Sequence, residues 1–162
     1  MRLTRAGEYA VRCVLYLASC PMGEVVNKKA VSEAMDIPDQ FLGKIAQHLA
    51  RAGIMEIVQG ARGGFRLLRP ADELNLLEVV EATIGKIFLN DCLMNLRICA
   101  RSNTCSVNKV WEKARRQLRD TLASATFDSL LESKSCMSPS LPARSKGKAA
   151  VKKVKDKKKG SL

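Results

Sequence analysis

Apolar residues in the first third of the chain recur at spacings of three and four, the period of helices that bury one face. Leu3, Ala6, Ala10, Cys13, Val14 and Leu17 form one such stripe over residues 3–18, and Arg2, Arg5, Glu8 and Arg12 fall off it. Thr4 can cap the start of this helix, and Pro21 and Gly23 end it. Residues 28–35 predict a second, shorter helix with Ala30, Val31 and Ala34 inward, broken by Asp36-Ile37-Pro38. Proline fits the first turn of a helix, where its missing N–H costs nothing, so a third helix is expected over residues 38–52. Its core face is Leu42, Ile45, Ala46 and Leu49, and its polar side carries Gln40, Lys44, Gln47, His48 and Arg51. Two helices joined by so short a turn make a helix-turn-helix. Residues 54–59 and 65–69 are then β-prone runs around Gly60-Ala61-Arg62-Gly63-Gly64, a hairpin with a glycine-rich tip that Pro70 closes. Helices followed by a two-stranded wing, in this order, predict a winged helix.

Beyond the wing, residues 74–84 form a further helix with Leu76, Leu77, Val80 and Ile84 apolar, and residues 88–105 show no clean period. A long helix is expected next, over residues 106–125, with a heptad-like seam of Val107, Trp111, Ala114, Leu118, Thr121 and Ala125, flanked by Val110 and Leu122. In a bundle this would be a core stripe. With little chain left to cover it, the seam reads as a subunit interface in which Val107, Val110, Trp111, Ala114, Leu118 and Leu122 dimerise the protein. From residue 133 on, Ser, Pro, Lys and Ala dominate, and a disordered tail is expected. The fold class is therefore mainly α: a winged helix-turn-helix over residues 1–72, a cysteine-bearing loop and long C-terminal dimerisation helix over 73–132, and a basic tail over 133–162.

Charge sharpens this picture. The 162 residues carry a formal net charge of +12. From Ser138 onward nine Lys or Arg face one acid, Asp156, so the tail holds +8 and the remaining 137 residues only +4. A cation excess points to a polyanion, either nucleic acid or an anionic membrane surface. A lipoprotein cleavage box is mimicked by Leu17-Ala18-Ser19-Cys20, but Glu8 and Arg12 interrupt the apolar stretch before it. No run approaches the ~18 apolar residues of a membrane span. Six cysteines without a leader or a loop-rich framework suit a reducing compartment, so a cytoplasmic, nucleoid-associated protein is expected. One histidine, no phosphate-binding glycine loop and no convergent carboxylates leave no reaction to assign, which argues against an enzyme.

A recognition helix reads base edges in the major groove from its N-terminal turns. Gln40 and Lys44 lie one turn apart there; Gln can pair with adenine, and Lys can reach guanine or a phosphate. Arg62, between glycines at the wing tip, suits a narrow minor groove. Arg51 and Arg66 are expected at phosphates, and His48 at the surface or near the DNA. The tail lysines either add salt-dependent, non-specific affinity or simply keep the chain soluble.

Cys92, Cys99 and Cys105 are separated by six and then five residues. Structural zinc sites pair cysteines two to four residues apart, whereas an iron–sulfur cluster needs ligands spread around a larger inorganic core. Arg97 and Arg101, between them, favour the thiolate form that binds metal. Direct thiol oxidation, zinc, or no ligand at all stay open at this point. Cys13 sits on a buried stripe and reads as core, and Cys20 and Cys136 have no evident partner.

The opening Met1-Arg2-Leu3-Thr4-Arg5-Ala6-Gly7-Glu8-Tyr9-Ala10, the run Ile37-Pro38-Asp39-Gln40-Phe41-Leu42, the wing Gly60-Ala61-Arg62-Gly63-Gly64-Phe65 and three cysteines before a long helix together resemble the Rrf-type winged-helix regulators, in particular the IscR-like and NsrR-like iron–sulfur members. The resemblance runs from residue 1 to about residue 132. It implies a homodimer that binds double-stranded DNA at inverted half-sites, with Pro38, Asp39 and Phe41 joining Gln40 at the DNA, and a two-iron or four-iron cluster on Cys92, Cys99 and Cys105. One departure stands out: IscR-like members carry a histidine three residues after the last cysteine, where this chain has Asn108. Glu8 is the best substitute ligand, given across the dimer as some members give an acidic residue near that position; it can equally be a surface carboxylate paired with Arg5 or Arg12. The alternatives are a winged-helix regulator switched by thiol oxidation without metal, and, in another class, an electron-transfer or cluster-carrier protein.

Overall fold

A computed structural model describes residues 4–94 and 104–133. Its first helix, α1 (Arg5–Ser19), starts where Thr4 caps it, the threonine Oγ1 accepting from the Gly7 N–H at 3.4 Å. Ala10, Cys13, Val14, Leu17 and Ala18 line its buried stripe. The next helices are α2 (Lys28–Met35) and α3 (Asp39–Arg51). Asn27 caps α2 by accepting from the Lys29 N–H at 2.8 Å, and Asp36 ends it in the left-handed region, at φ 52°. Pro38 stands one position earlier than expected, as the N-cap of α3 rather than within its first turn; its carbonyl accepts from the N–H groups of Phe41 and Leu42. Leu42, Ile45, Ala46 and Leu49 are all buried, as the spacing required.

The wing is a two-stranded antiparallel sheet of β1 (Met55–Val58) and β2 (Gly64–Leu67). Both strands are shorter than the β-prone runs, and Gly64 belongs to β2 rather than to the tip. The reason lies on the other edge of β2. Val26, in the α1–α2 connection, exchanges two backbone hydrogen bonds of 2.8 Å with Phe65, and a Cβ on Gly64 would stand only 2.0 Å from the Val26 carbonyl oxygen. Only glycine allows that approach.

Helix α4 (Leu76–Ile84) follows, capped by Asn75, whose Oδ1 accepts from the Glu78 N–H at 3.0 Å. Its inward face differs from the expected one: Val79 and Val80 are buried, Leu76 and Leu77 are half-buried, and Ile84 is exposed. Leu74, just before the helix, is fully buried instead. After the short α5 (Asp91–Met94) comes α6 (Ser106–Ser124), the expected long helix. The chain then turns back into α7 (Phe127–Glu132), for which the sequence pattern predicted no element. Phe127 and Leu131 of α7 and Val79 of α4 join one apolar cluster with α1, α3 and the wing, so the core continues past residue 72. Hydrogen bonds of 2.9 Å from Leu76 N–H to the Ala125 carbonyl and from Phe127 N–H to the Leu74 carbonyl tie the two ends of this segment together.

Candidate nucleic-acid interface and cysteine site

Burying the apolar face of α3 leaves Gln40, Lys44, Gln47, His48 and Arg51 exposed together on the opposite side. Asp39 is exposed in the first turn, where a carboxylate complements the helix dipole. Phe41 is 41% exposed, yet its ring lies 5.9 Å from that of Tyr9 on α1. The Arg12 guanidinium sits over the same Tyr9 ring at 5.7 Å and reaches the Met35 carbonyl at 3.5 Å. Tyr9 and Arg12 thus hold both helices of the helix-turn-helix, a role the sequence reading missed; Arg12 is taken up here and not by Glu8. Arg62 is exposed in the wing loop.

Arg66 is differently placed from a free phosphate contact. It faces Glu56 across the wing, and its Nε and Nη2 both approach Glu56 Oε1 in a half-exposed ion pair. The hairpin register carries this signal: pairing outward from the tip sets positions 56 and 66 opposite each other.

Two of the three cysteines come to one end of α6. Cys105 is its N-cap residue, and Asn108 in its first turn donates from Nδ2 to Cys92 Sγ at 3.6 Å. Cys92 lies on α5, which packs against α6, and both thiols are free and half-buried. Upstream of Cys92, the Asn90 amide, oriented to satisfy both of its ends, accepts from Trp111 Nε1 at 2.9 Å and donates to the Leu89 carbonyl. Cys99, Arg97 and Arg101 lie outside the described residues, as do Cys136 and the basic tail. Among the described residues no three His, Cys, Asp or Glu side chains gather as a metal site. Glu8 is exposed in the first turn of α1 and forms no ion pair with a described residue. Cys13 is core: burial pushes its thiol up to about 12. Two free, half-buried thiols near one end of α6 are of the soft-ligand type that a cluster takes.

No side chain of α6 is buried, although it is 19 residues long. One side leans on α4, α5 and the segment between them, with an ion pair of Arg119 with Glu81 of α4 and Arg115 over the ring of Phe88 at 5.2 Å. Val107 is 53% and Val110 61% exposed, and Trp111 is 39% exposed although its indole N–H reaches Asn90.

Compared with known proteins, residues 3–133 match the family model Rrf2, described as an iron-dependent transcriptional regulator. The chain belongs to the Rrf2 family of transcriptional regulators. The HTH-type transcriptional regulator NsrR of Shouchella clausii is 32% identical over 108 residues, which is 67% of this chain and 69% of that protein. Among solved structures, T. potens IscR superposes with a TM-score of 0.66 over 82% of this chain and 88% of that one, at 21% identity. The oxidized form of Staphylococcus aureus CymR gives a TM-score of 0.65 over 82% of this chain and 97% of that one, at 23% identity. The winged-helix fold is therefore shared by the Rrf2 chain and these structures. Proteins so named are regulators of transcription and not enzymes. No described helix is long and apolar enough to cross a membrane.

Proposed function

We propose that this Rrf2-family regulator is a homodimer that reads inverted DNA half-sites and is controlled by an iron–sulfur cluster on Cys92, Cys99 and Cys105. The observation that supports the cluster is that Cys105 is the N-cap of α6 while Asn108, in its first turn, donates to the Cys92 sulfur. When bound, the cluster supplies a centre whose integrity responds to oxidant, nitric oxide or iron supply. Cys92 and Cys105 would hold it from α5 and α6, Cys99 from the segment between, and Glu8 from the partner protomer's α1. Asn108 replaces the histidine that related regulators carry at this place, and as a hydrogen-bond donor to sulfur it positions Cys92 rather than ligating. On the DNA side, Gln40 and Lys44 enter the major groove with Pro38, Asp39 and Phe41 at its edge, Arg62 enters the minor groove, and Arg51 meets phosphate. The exposed stripe of α6 joins two copies, so that the paired recognition helices meet half-sites about one helical turn apart, roughly 34–36 Å.

Anaerobic purification with iron and sulfide quantitation and an absorption spectrum tests the cluster, beside a Cys99→Ala variant. Visible thiolate-to-iron bands that vanish in the variant support it. A colourless protein after anaerobic reconstitution overturns it and leaves oxidation of the same thiols as the switch.

A further inference from the structure

One part of the sequence that the sites above do not absorb is the basic run over residues 144–159, eight Lys and one Arg against one acid, Asp156. It lies beyond the family match, which ends at residue 133, so it is added to the segment that the family shares. Its composition separates two uses. For solubility alone carboxylates serve better than lysines. Nine cations in sixteen residues are instead the pattern of a polyanion contact. Lys outnumbers Arg eight to one, and an ammonium is a point charge without the planar fork that grips a base edge in two bonds. Residues 134–162 contain no Phe, Tyr or Trp to stack on an unpaired base. The run therefore suits the phosphates of a duplex, whatever its base sequence.

The winged helix itself is short of uncommitted cations. Lys29, Arg66 and Arg69 are paired with Glu33, Glu56 and Glu78. Arg12 lies over Tyr9 and bonds the Met35 carbonyl, and on α3 Lys44 and Arg51 share their helix with Asp39. Phosphate contacts supply the sequence-independent part of DNA affinity, and this face leaves few side chains to make them.

The exit point agrees. Helix α7 packs on α1, and its Asp128 N–H bonds the carbonyl of Ala71, four residues past β2, at 3.2 Å. The chain leaves the described fold at Ser133, about 8 Å of helix beyond that anchor. Arg144 follows eleven residues later, a span of about 36–40 Å at full extension. The wing tip at Arg62 is only about 17 Å of strand from Leu67, so a duplex held by the wing lies within reach of the basic run.

From this charge, composition and exit point we infer that residues 144–159 are a second DNA contact, an arm that holds duplex phosphate beside the wing without reading bases. The inference rests on the DNA-binding reading and extends it with a sequence-independent term.

The test is fluorescence anisotropy on a random-sequence duplex over a salt series, with the full chain and with a chain lacking residues 138–162. A variant of the full chain that carries Lys152→Gln, Lys153→Gln, Lys155→Gln, Lys157→Gln, Lys158→Gln and Lys159→Gln is run beside them, its fold checked by circular dichroism. If about half of the nine cations sit on phosphate, removing the segment should lower the slope of log K against log salt by about 4, at about 0.9 per contact, and weaken binding at least tenfold near 0.1 M salt. The glutamine variant should follow the shortened chain, and a full chain with residues 138–162 shuffled should keep the original slope. A slope change smaller than about 2, or a shuffled chain that behaves as the shortened one, would overturn the arm. So would tighter binding of the full chain to single-stranded RNA than to the duplex. Co-sedimentation with phosphatidylserine vesicles beside an unchanged DNA slope would assign the run to a lipid surface instead. Equal slopes with both chains bound remove the arm and leave the winged helix as the DNA contact, whereas no duplex binding by either chain removes both.

Discussion

Glu56 and Arg66 face each other across the wing, and on the proposed reading, in which the wing meets DNA, the pair sets how much of the Arg66 charge is open to phosphate. A half-exposed ion pair contributes only about 0–1 kcal/mol to folding, so its presence in a basic DNA-binding element has little to do with stability. Glu56 instead cancels the Arg66 charge and repels phosphate beside it. Glu56→Gln should therefore tighten DNA binding a few-fold and steepen the dependence of log K on log salt by about 0.9, the increment for one added phosphate contact. Fluorescence anisotropy at two salt concentrations reads both effects; an unchanged slope would show that Arg66 does not approach phosphate at all. Cys13 yields a second prediction at this scale. Its thiol stands at about 12 in the fold against 9.0 for an ordinary cysteine, so the folded state holds the proton more tightly than the unfolded one. A raised folded pKa contributes stability that is fully present below 9.0 and is lost as pH climbs toward about 12. Between roughly pH 8 and 10.5 the native protein should lose about 2 kcal/mol more than Cys13→Ala, at 1.36 kcal/mol per unit. Urea melts of both proteins at the two pH values give the difference, in which other titrating groups cancel. Equal losses would mean that Cys13 is solvated in the native state.

Among the elements, α6 is the one whose packing is incomplete. A helix of 19 residues with no buried side chain gains too little from α4 and α5 to explain exposed apolar side chains at Val107 and Val110, with Trp111 beside them bonded to Asn90 at its indole N–H. Val110→Glu changes a residue that is already 61% exposed, so the single chain should keep its fold within about 0.5 kcal/mol. In a dimer the same change sets carboxylates into an apolar seam. Light scattering should then find the wild type dimeric and the variant monomeric, and a monomeric wild type would remove α6 as an interface. The period that makes this helix readable from sequence also explains what was not readable. Strong runs of threes and fours mark α1, α3 and α6 to within two residues at each end. Helix α4 lies between α1 and α3 on one side and α6 on the other, so Val79 turns inward while Ile84 does not, and a single-stripe pattern misassigns both. Helix α7 has only six residues, too few for a period, and its sole strong signal is Phe127, an aromatic residue in a chain with few of them. At the candidate sites, Gln40, Lys44 and Arg51 were legible because exposure follows from the buried face opposite. Arg12 over Tyr9 and Asn108 on Cys92 were not, because tertiary packing alone brings residues of different elements together.

Across the whole molecule α1 is the hub, packed against α2, α3, α4, α7 and β2. If the cysteine site is the sensor proposed above, two physical routes to α3 pass through α1. One runs from α6 to α4 by Arg119 and Glu81, and from α4 into α1. The other begins at Glu8, beside Tyr9 in sequence, and continues through the Tyr9–Phe41 contact and the reach of Arg12 to Met35. The second route is short and grips the start of α3 together with the end of α2. Coupling between sites is a free energy, typically about 1–3 kcal/mol, and it needs an element that both states move. Tyr9→Leu removes the aromatic contact and the cation–π anchor but keeps an apolar side chain against the core. Operator affinity measured with cluster-loaded and cluster-free protein should differ less in this variant than in the wild type, the ratio falling by at least half its logarithm. Phe41→Leu should do the same. If Phe41 acted only by touching DNA, its loss would weaken both states equally and leave the ratio intact. An unchanged ratio in Tyr9→Leu as well would move the coupling to the α6–α4 route, where Arg119→Ala is the corresponding test.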